Sequence, residues 1–197
     1  TATPTATTTP VFTLTLNSNA SQDGWILESS ENSNTGGSMY AAGNFLRLGD
    51  DAGNRQYRSI LSFNTSILPD TAVVRSAVLK IKQNGPAVGA NPFDVLGNLW
   101  ADIRKGTFGA AALELGDFNA SASATAVGAF SSTPVSGWYT DTLGSTGRSK
   151  INKVGLTQFR LRFSLDDNNN HLADYMKFLS GNHSSGQPQL VITYTLP

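Results

Sequence analysis

The chain has no cysteine and, among 197 residues, only three glutamates, two histidines and two methionines. Without thiols there can be no disulfide framework, cysteine nucleophile or thiolate metal site. Charge is scarce too, with 14% of residues charged against about 25% in average soluble domains. Fourteen cations cancel fourteen anions. A neutral chain lacks the phosphate-neutralising surface of a sequence-independent nucleic-acid binder, so nucleic acid is not an expected partner. No apolar run approaches the ~18–20 residues that span a bilayer, and membrane insertion is not expected. Nor does a basic stretch lead into an apolar one in the manner of a signal peptide.

Small polar residues take the place of charge. Thr, Ser, Asn and Gly fill 76 of the 197 positions. Apolar residues are not depleted, at 39%, so a packed core is expected and the length suits one domain. Residues 1–10 (TATPTATTTP) have nothing to bury and read as a stiff, extended Thr/Pro linker or tail. Their hydroxyls, at Thr5, Thr7, Thr8 and Thr9, are candidates for O-glycosylation. Residues 11–197 form the expected domain.

Within it, apolar residues alternate with period two and no long 3.6-residue pattern appears. Strands are expected at 11–16, 24–28, 45–48, 57–64, 74–82, 99–104, 125–131, 138–142, 158–165, 174–179 and 189–196. Asn-, Gly-, Asp- and Ser-rich stretches between them supply turns. Single helical turns are expected within 109–115 and 145–152. The resulting fold class is all-β: a two-sheet antiparallel β-sandwich of jelly-roll type with about ten strands.

Four segments of the first half carry a resemblance. They are Asp23-Gly24-Trp25 opening a strand, Phe45-Leu46-Arg47-Leu48-Gly49 after a Gly-rich approach, Arg58–Phe63 (RSILSF) followed by Ile67-Leu68-Pro69, and 74–79 (VRSAVL). With the closing strand 187–194 (QPQLVITY), their order and spacing resemble the DNRLRE-domain group, which includes carbohydrate-binding module family 96. The likeness covers about residues 20–82 and 157–196, while 85–155 departs from it. It implies a β-sandwich in a large extracellular or cell-surface protein, non-catalytic, and serving polysaccharide binding or adhesion.

Catalytic constellations are not evident, and an enzyme is not expected. His171 and His183 lie in polar loops without a nucleophile motif, and most Asp fall in turns rather than flanking a cleft. Calcium has more support. Asp166, Asp167 and Asn168, with Asp174 beyond, gather hard oxygen ligands in one loop suited to structural Ca²⁺, although no Gly stands at the turn position of an EF-hand loop. Asp50, Asp51 and Asn54 form a weaker cluster. Simple turn-making explains the same residues.

Strand alternation also sorts the cations. If Leu99, Ala101, Ile103, Phe159, Leu161, Phe163 and Leu165 face the core, then Trp100, Asp102, Arg104, Arg160 and Arg162 face outward. Arg58, Arg47, Lys80 and Lys82 follow by the same rule. A face with one Trp and several guanidinium groups suits an acidic polysaccharide, whose carboxylates pair with Arg. Outward charges equally serve plain solvation and discourage edge pairing. Sequons at Asn19, Asn64, Asn119 and Asn182 are expected by chance in so Asn- and Ser-rich a chain.

Two readings follow. One is a non-catalytic carbohydrate-binding or adhesive module outside the cell, its partner a polysaccharide. The other is a subunit of an extracellular filament or surface layer, its partners neighbouring subunits, assembled through the tail and the strand containing Val11, Phe12, Thr13 and Leu14 by strand addition.

Overall fold

The computed structural model describes residues 9–197. Twelve strands make two antiparallel sheets. The smaller sheet runs β1 (Val11–Asn17), β12 (Gln189–Thr195), β6 (Val73–Lys82), β9 (Trp138–Thr142). The larger follows the path β11 (Tyr175–Leu179), β4 (Phe45–Asp50), β5 (Gln56–Asn64), β10 (Leu156–Phe163), β7 (Leu99–Lys105), β8 (Ala124–Ala129). From β5, β2 (Gly24–Glu28) pairs along Tyr57–Ile60 and carries β3 (Gly36–Tyr40) with it. The all-β sandwich expected from alternation is the fold observed.

The main core lies between the sheets. Ala77, Leu79 and Ile81 of β6, with Leu190 and Ile192 of β12, meet Leu61 and Phe63 of β5, Phe159, Leu161 and Phe163 of β10, and Leu99, Ala101 and Ile103 of β7. These are the inward residues that alternation selects. Leu165 departs from it: β10 ends at Phe163, and Leu165 is 52% exposed.

β3 was not foreseen. It begins Gly36-Gly37, its residues are mostly exposed, and it shows no alternation to read. Helical structure is confined to short turns, at Thr65–Ile67, Pro92–Val95, Leu115–Phe118 and Ser145–Ser149. The last two fall in or beside the stretches expected to turn, whereas 109–114 is irregular.

A second, smaller core lies on the outer face of the larger sheet. Segment 106–123 crosses that face and seats Phe108, Leu113 and Phe118 on Ile26 and Ile60. The middle of the sheet is therefore buried on both sides, and Gln56 through Phe63 on β5 are all buried.

At the β4–β11 end the strands approach closely at Gly49, which faces Tyr175. Its φ is +132°, and a Cβ there would lie 2.1 Å from the carbonyl oxygen of Asp174. Gly49→Ala must either part β4 from β11 or adopt a backbone conformation that L-residues resist. It is expected to cost about 2–4 kcal/mol of stability, read from urea denaturation midpoints.

Candidate functional site

The outward cations do not form one open face. Lys80 and Lys82 lie on the smaller sheet, on the opposite side of the sandwich from the arginines. Their ammonium groups sit 4.9 and 5.8 Å from the ring of Trp138, which is the register partner of Lys82. Strand alternation gave their direction correctly but carried no information about which sheet they join.

Arg58 of β5 and Arg160 of β10 are buried, contrary to the exposure expected of them. Arg58 is 8% and Arg160 5% exposed, and Asp102 is wholly buried. The cause is the covering segment 106–123. Arg58 lies 4.0 Å over the ring of Phe118 and donates to Gln56 Oε1 and to the Phe118 carbonyl. Arg160 lies over Phe108 and donates to the carbonyls of Asp117 and Ala120 and to Asp102 Oδ2. Arg162 also donates to Asp102, at 3.1 Å from Oδ2, and the Ala126 N–H fills Oδ1 at 3.0 Å. Burial alone would raise the Asp102 pKa; the Arg162 and Ala126 hydrogen bonds and the two guanidinium charges outweigh it and hold the carboxyl below its usual range. Arg58 is pushed down to about 10, by burial first and then by the charges of Arg160 and Arg162.

Three of these hydrogen bonds, to the carbonyls of Asp117, Phe118 and Ala120, hold segment 106–123 to the sheet, and the others go to Asp102 and Gln56. Arg104 is similarly engaged by the carbonyls of Thr107 and Ser121. Only the rim, where Arg162 stacks 5.2 Å from the half-buried Trp100, still faces solvent.

A different set gathers at the uncovered β4–β11 end. Leu46, Leu48, Met176 and Phe178 point into the core, so Phe45, Arg47, Tyr175 and Lys177 point out, with Lys177 directly opposite Arg47. The Arg47 guanidinium carbon lies 4.8 Å from the ring of Trp25, 5.3 Å from Tyr175, 5.4 Å from Tyr57 and 5.5 Å from Phe45. Trp25 comes from β2, and Tyr40, 48% exposed at the end of β3, lies beside it at 6.2 Å. Five aromatic rings and two cations thus form one patch drawn from five strands.

Arg47 differs from Arg160 in its partners. It donates to the Tyr57 hydroxyl at 3.1 Å, and among the described residues it forms no ion pair. Its Nε is buried without a hydrogen-bond partner, as is Trp25 Nε1. Burial raises the Tyr57 pKa against the opposing effect of Arg47, so the phenol stays neutral and does not neutralise the guanidinium. The patch is a set of flat apolar faces around an uncompensated positive charge. Flat rings of this kind can pack against the C–H faces of a sugar, and the fork of Arg47 suits a carboxylate.

No protein-family model matches the chain. No curated protein matches it either.

The acidic loops expected at two places in the sequence converge in space. Asp174 and Asp50 exchange backbone hydrogen bonds across β4 and the approach to β11, and the Asp174 N–H also donates to Asp50 Oδ1 at 3.1 Å. Asp50 is wholly buried, and its Oδ2 has no partner. Its pKa is raised to about 6, first by burial and then by the charges of Asp174 and Asp167. Asn168 and Asn170 each donate a side-chain N–H to Asp174 Oδ2, at 2.8 and 2.9 Å. Asp51 does not join them; it turns back on its own loop to pair with Arg55. Asn54 spans the two loops, accepting from the His171 N–H at 3.1 Å. Among the described residues no three His, Asp or Glu side chains stand arranged around a common metal point.

Of the assembly residues, Val11 and Phe12 are 64% and 42% exposed, and Leu14 is half-buried. In the described residues β1 pairs only with β12, leaving its other edge open. Thr5, Thr7 and Thr8 lie outside the described residues, while Thr9 is exposed. No helix among the described residues is long and apolar enough to cross a membrane.

Proposed function

We propose that the chain is a non-catalytic, extracellular β-sandwich module that binds an acidic polysaccharide through the aromatic patch around Arg47. The observation that carries this reading is the pairing pattern of the arginines. Arg160 and Arg162 share the carboxylate of Asp102, and Arg58 is satisfied by Gln56 and the Phe118 carbonyl, whereas Arg47 sits among four rings with no carboxylate partner and its Nε unbonded. Removing a cation from bulk water without a counter-ion is costly, and an incoming uronate carboxylate offsets that cost while its sugar ring packs on Trp25 or Tyr40. The resemblance of the first half to the DNRLRE-domain group points the same way.

Affinity electrophoresis in gels containing uronate-rich or neutral polysaccharide tests the reading. Retardation is expected only in the acidic gel. Arg47→Ala and Trp25→Ala are each expected to weaken binding about tenfold or more, with Arg162→Ala near wild type. Equal migration of the wild type in all gels rules the reading out.

A second reading, a subunit of a filament or surface layer, is favoured by the open edge of β1. An extended segment of a neighbouring copy can extend the smaller sheet there through main-chain hydrogen bonds. Light scattering of the full-length chain at high concentration decides it: a strictly monomeric protein excludes this role.

A further inference from the structure

The two sheets differ in what covers them. Segment 106–123 buries Ile60 completely at the centre of the larger sheet's outer face. On the smaller sheet Val78 and Val191, register partners at the centre of the outer face, are only half-buried, and Thr13 and Thr15 on β1 are exposed. We propose that this uncovered face is a second binding surface, for an anionic polysaccharide whose acidic groups meet Lys80 and Lys82, and that one module thereby joins two polysaccharide chains. The joining rests on the Arg47 reading; binding at this face does not.

The charge of the face is one-sided. Strands β1, β12, β6 and β9 contain one acidic residue, Asp141, which turns inward over Gly128 and is 1% exposed. Segments 83–91, 131–137 and 183–188, which adjoin the strands at the Lys82 end, hold no acid at all. Lys80 and Lys82 lie about 7 Å apart along β6. Among the described residues neither forms an ion pair. The ring of Trp138, 4.9 and 5.8 Å from their ammonium groups, holds both at one end of the face without neutralising them. Gln189 and Thr140 flank Lys80 in register, so an amide and a hydroxyl stand in line with it at strand spacings of about 4.8 Å.

A polymer of anionic sugars suits this arrangement. Its repeated acidic groups meet a pair of compact point charges, and its hydroxyls meet the amide and hydroxyl beside them. Two lysines are too few for the many phosphate contacts on which nucleic-acid binding depends. The Arg47 patch lies on the outer side of the larger sheet, so the two surfaces face away from each other across the core. Chains bound at each remain separate, and the module links them.

Affinity electrophoresis of the full-length protein in gels of uronate-rich, sulfated or neutral polysaccharide tests binding at this face. Arg47→Ala is expected to keep residual retardation in an acidic gel, and the gel that retards it names the anionic group. Adding Lys80→Ala and Lys82→Ala should weaken that residual binding at least about tenfold, whereas adding Lys80→Arg and Lys82→Arg should preserve it. Arg47→Ala migrating freely in every gel overturns the proposal, as does residual retardation that survives the loss of both lysines. If removing the lysines alone abolishes all retardation, binding at this face stands and the Arg47 reading falls. Joining is measured as turbidity when wild-type protein meets a soluble polysaccharide that retards it. The turbidity should vanish in Arg47→Ala and in the lysine double variant alike, and a clear wild-type mixture overturns joining. If the lysine substitutions instead abolish self-association in light scattering and leave retardation intact, the face belongs to a second copy of the chain and the proposal falls.

Discussion

Asp102→Ala is expected to lower the unfolding free energy by about 3–5 kcal/mol, the usual consequence of removing one partner from a buried ionic group. Arg160 would keep its carbonyl partners at Asp117 and Ala120 but lose two hydrogen bonds to carboxylate. Arg162 would lose its anion, and the Ala126 N–H its acceptor. Arg160 cannot escape to water, because Phe108 and the rest of segment 106–123 lie over it. Urea denaturation at pH 7 measures the loss. Adding Arg160→Met to Asp102→Ala should recover part of it, since the double variant buries one fewer unpaired charge. A loss under about 1 kcal/mol would mean that the group behaves as a surface salt bridge.

Stability is also expected to rise as pH falls from 7.5 to about 5, the reverse of ordinary acid denaturation. Buried carboxyls drive this, Asp141 and Asp23 foremost and Asp50 in the same sense. Asp141 is 1% exposed, with neither side-chain oxygen hydrogen-bonded, and lies over Gly128. Asp23 is wholly buried, with only Oδ2 satisfied, by the Gly181 N–H. Burial raises each pKa from 3.8 to about 6. Between those values the folded state holds a proton that the unfolded chain has released. Stability from each group is therefore fully present below pH ~4 and is lost as pH rises through 6. At about 1.4 kcal/mol per pKa unit, each contributes on the order of 2–3 kcal/mol. Asp102, whose pKa is lowered, acts in the opposite sense and loses its contribution only as pH falls below 3.8. The optimum is thus expected near pH 4–5. Asp141→Asn should be more stable than wild type at pH 7.5 and show a shallower pH dependence. Denaturation midpoints measured at pH 7.5, 6 and 5 check both statements, and a flat wild-type profile would refute them.

Alternation gave the inward residues of β6, β7 and β10, Leu165 apart, because those strands pack one face on the main core. It could not reveal what lies on their other face. Segment 106–123 buries Phe108, Leu113 and Phe118 at irregular spacing among Ala, Gly and Ser, so neither a helical nor a strand period marks it as a cover. Arg58, Asp102 and Arg160 were for that reason expected at the surface. The Arg47 patch was missed for a different reason. The same parity rule turns Phe45, Arg47, Tyr175 and Lys177 outward, but they lie about 130 residues apart, and only the β4–β11 pairing brings them together. The acidic loops were recognised separately on composition; the register at Gly49 and Asp50 made them neighbours.

Val11 pairs with Thr195, so the described chain enters and leaves at a single rung of the smaller sheet. A pull applied between those two points would load that rung alone and then the next, peeling β1 from β12 one pair at a time instead of shearing the whole ladder together. The larger sheet, with its Arg47 patch and the Asp50 junction, lies outside that line of force. Under tension β1 would yield early and act as a fuse, while the surface proposed to grip the glycan stays assembled.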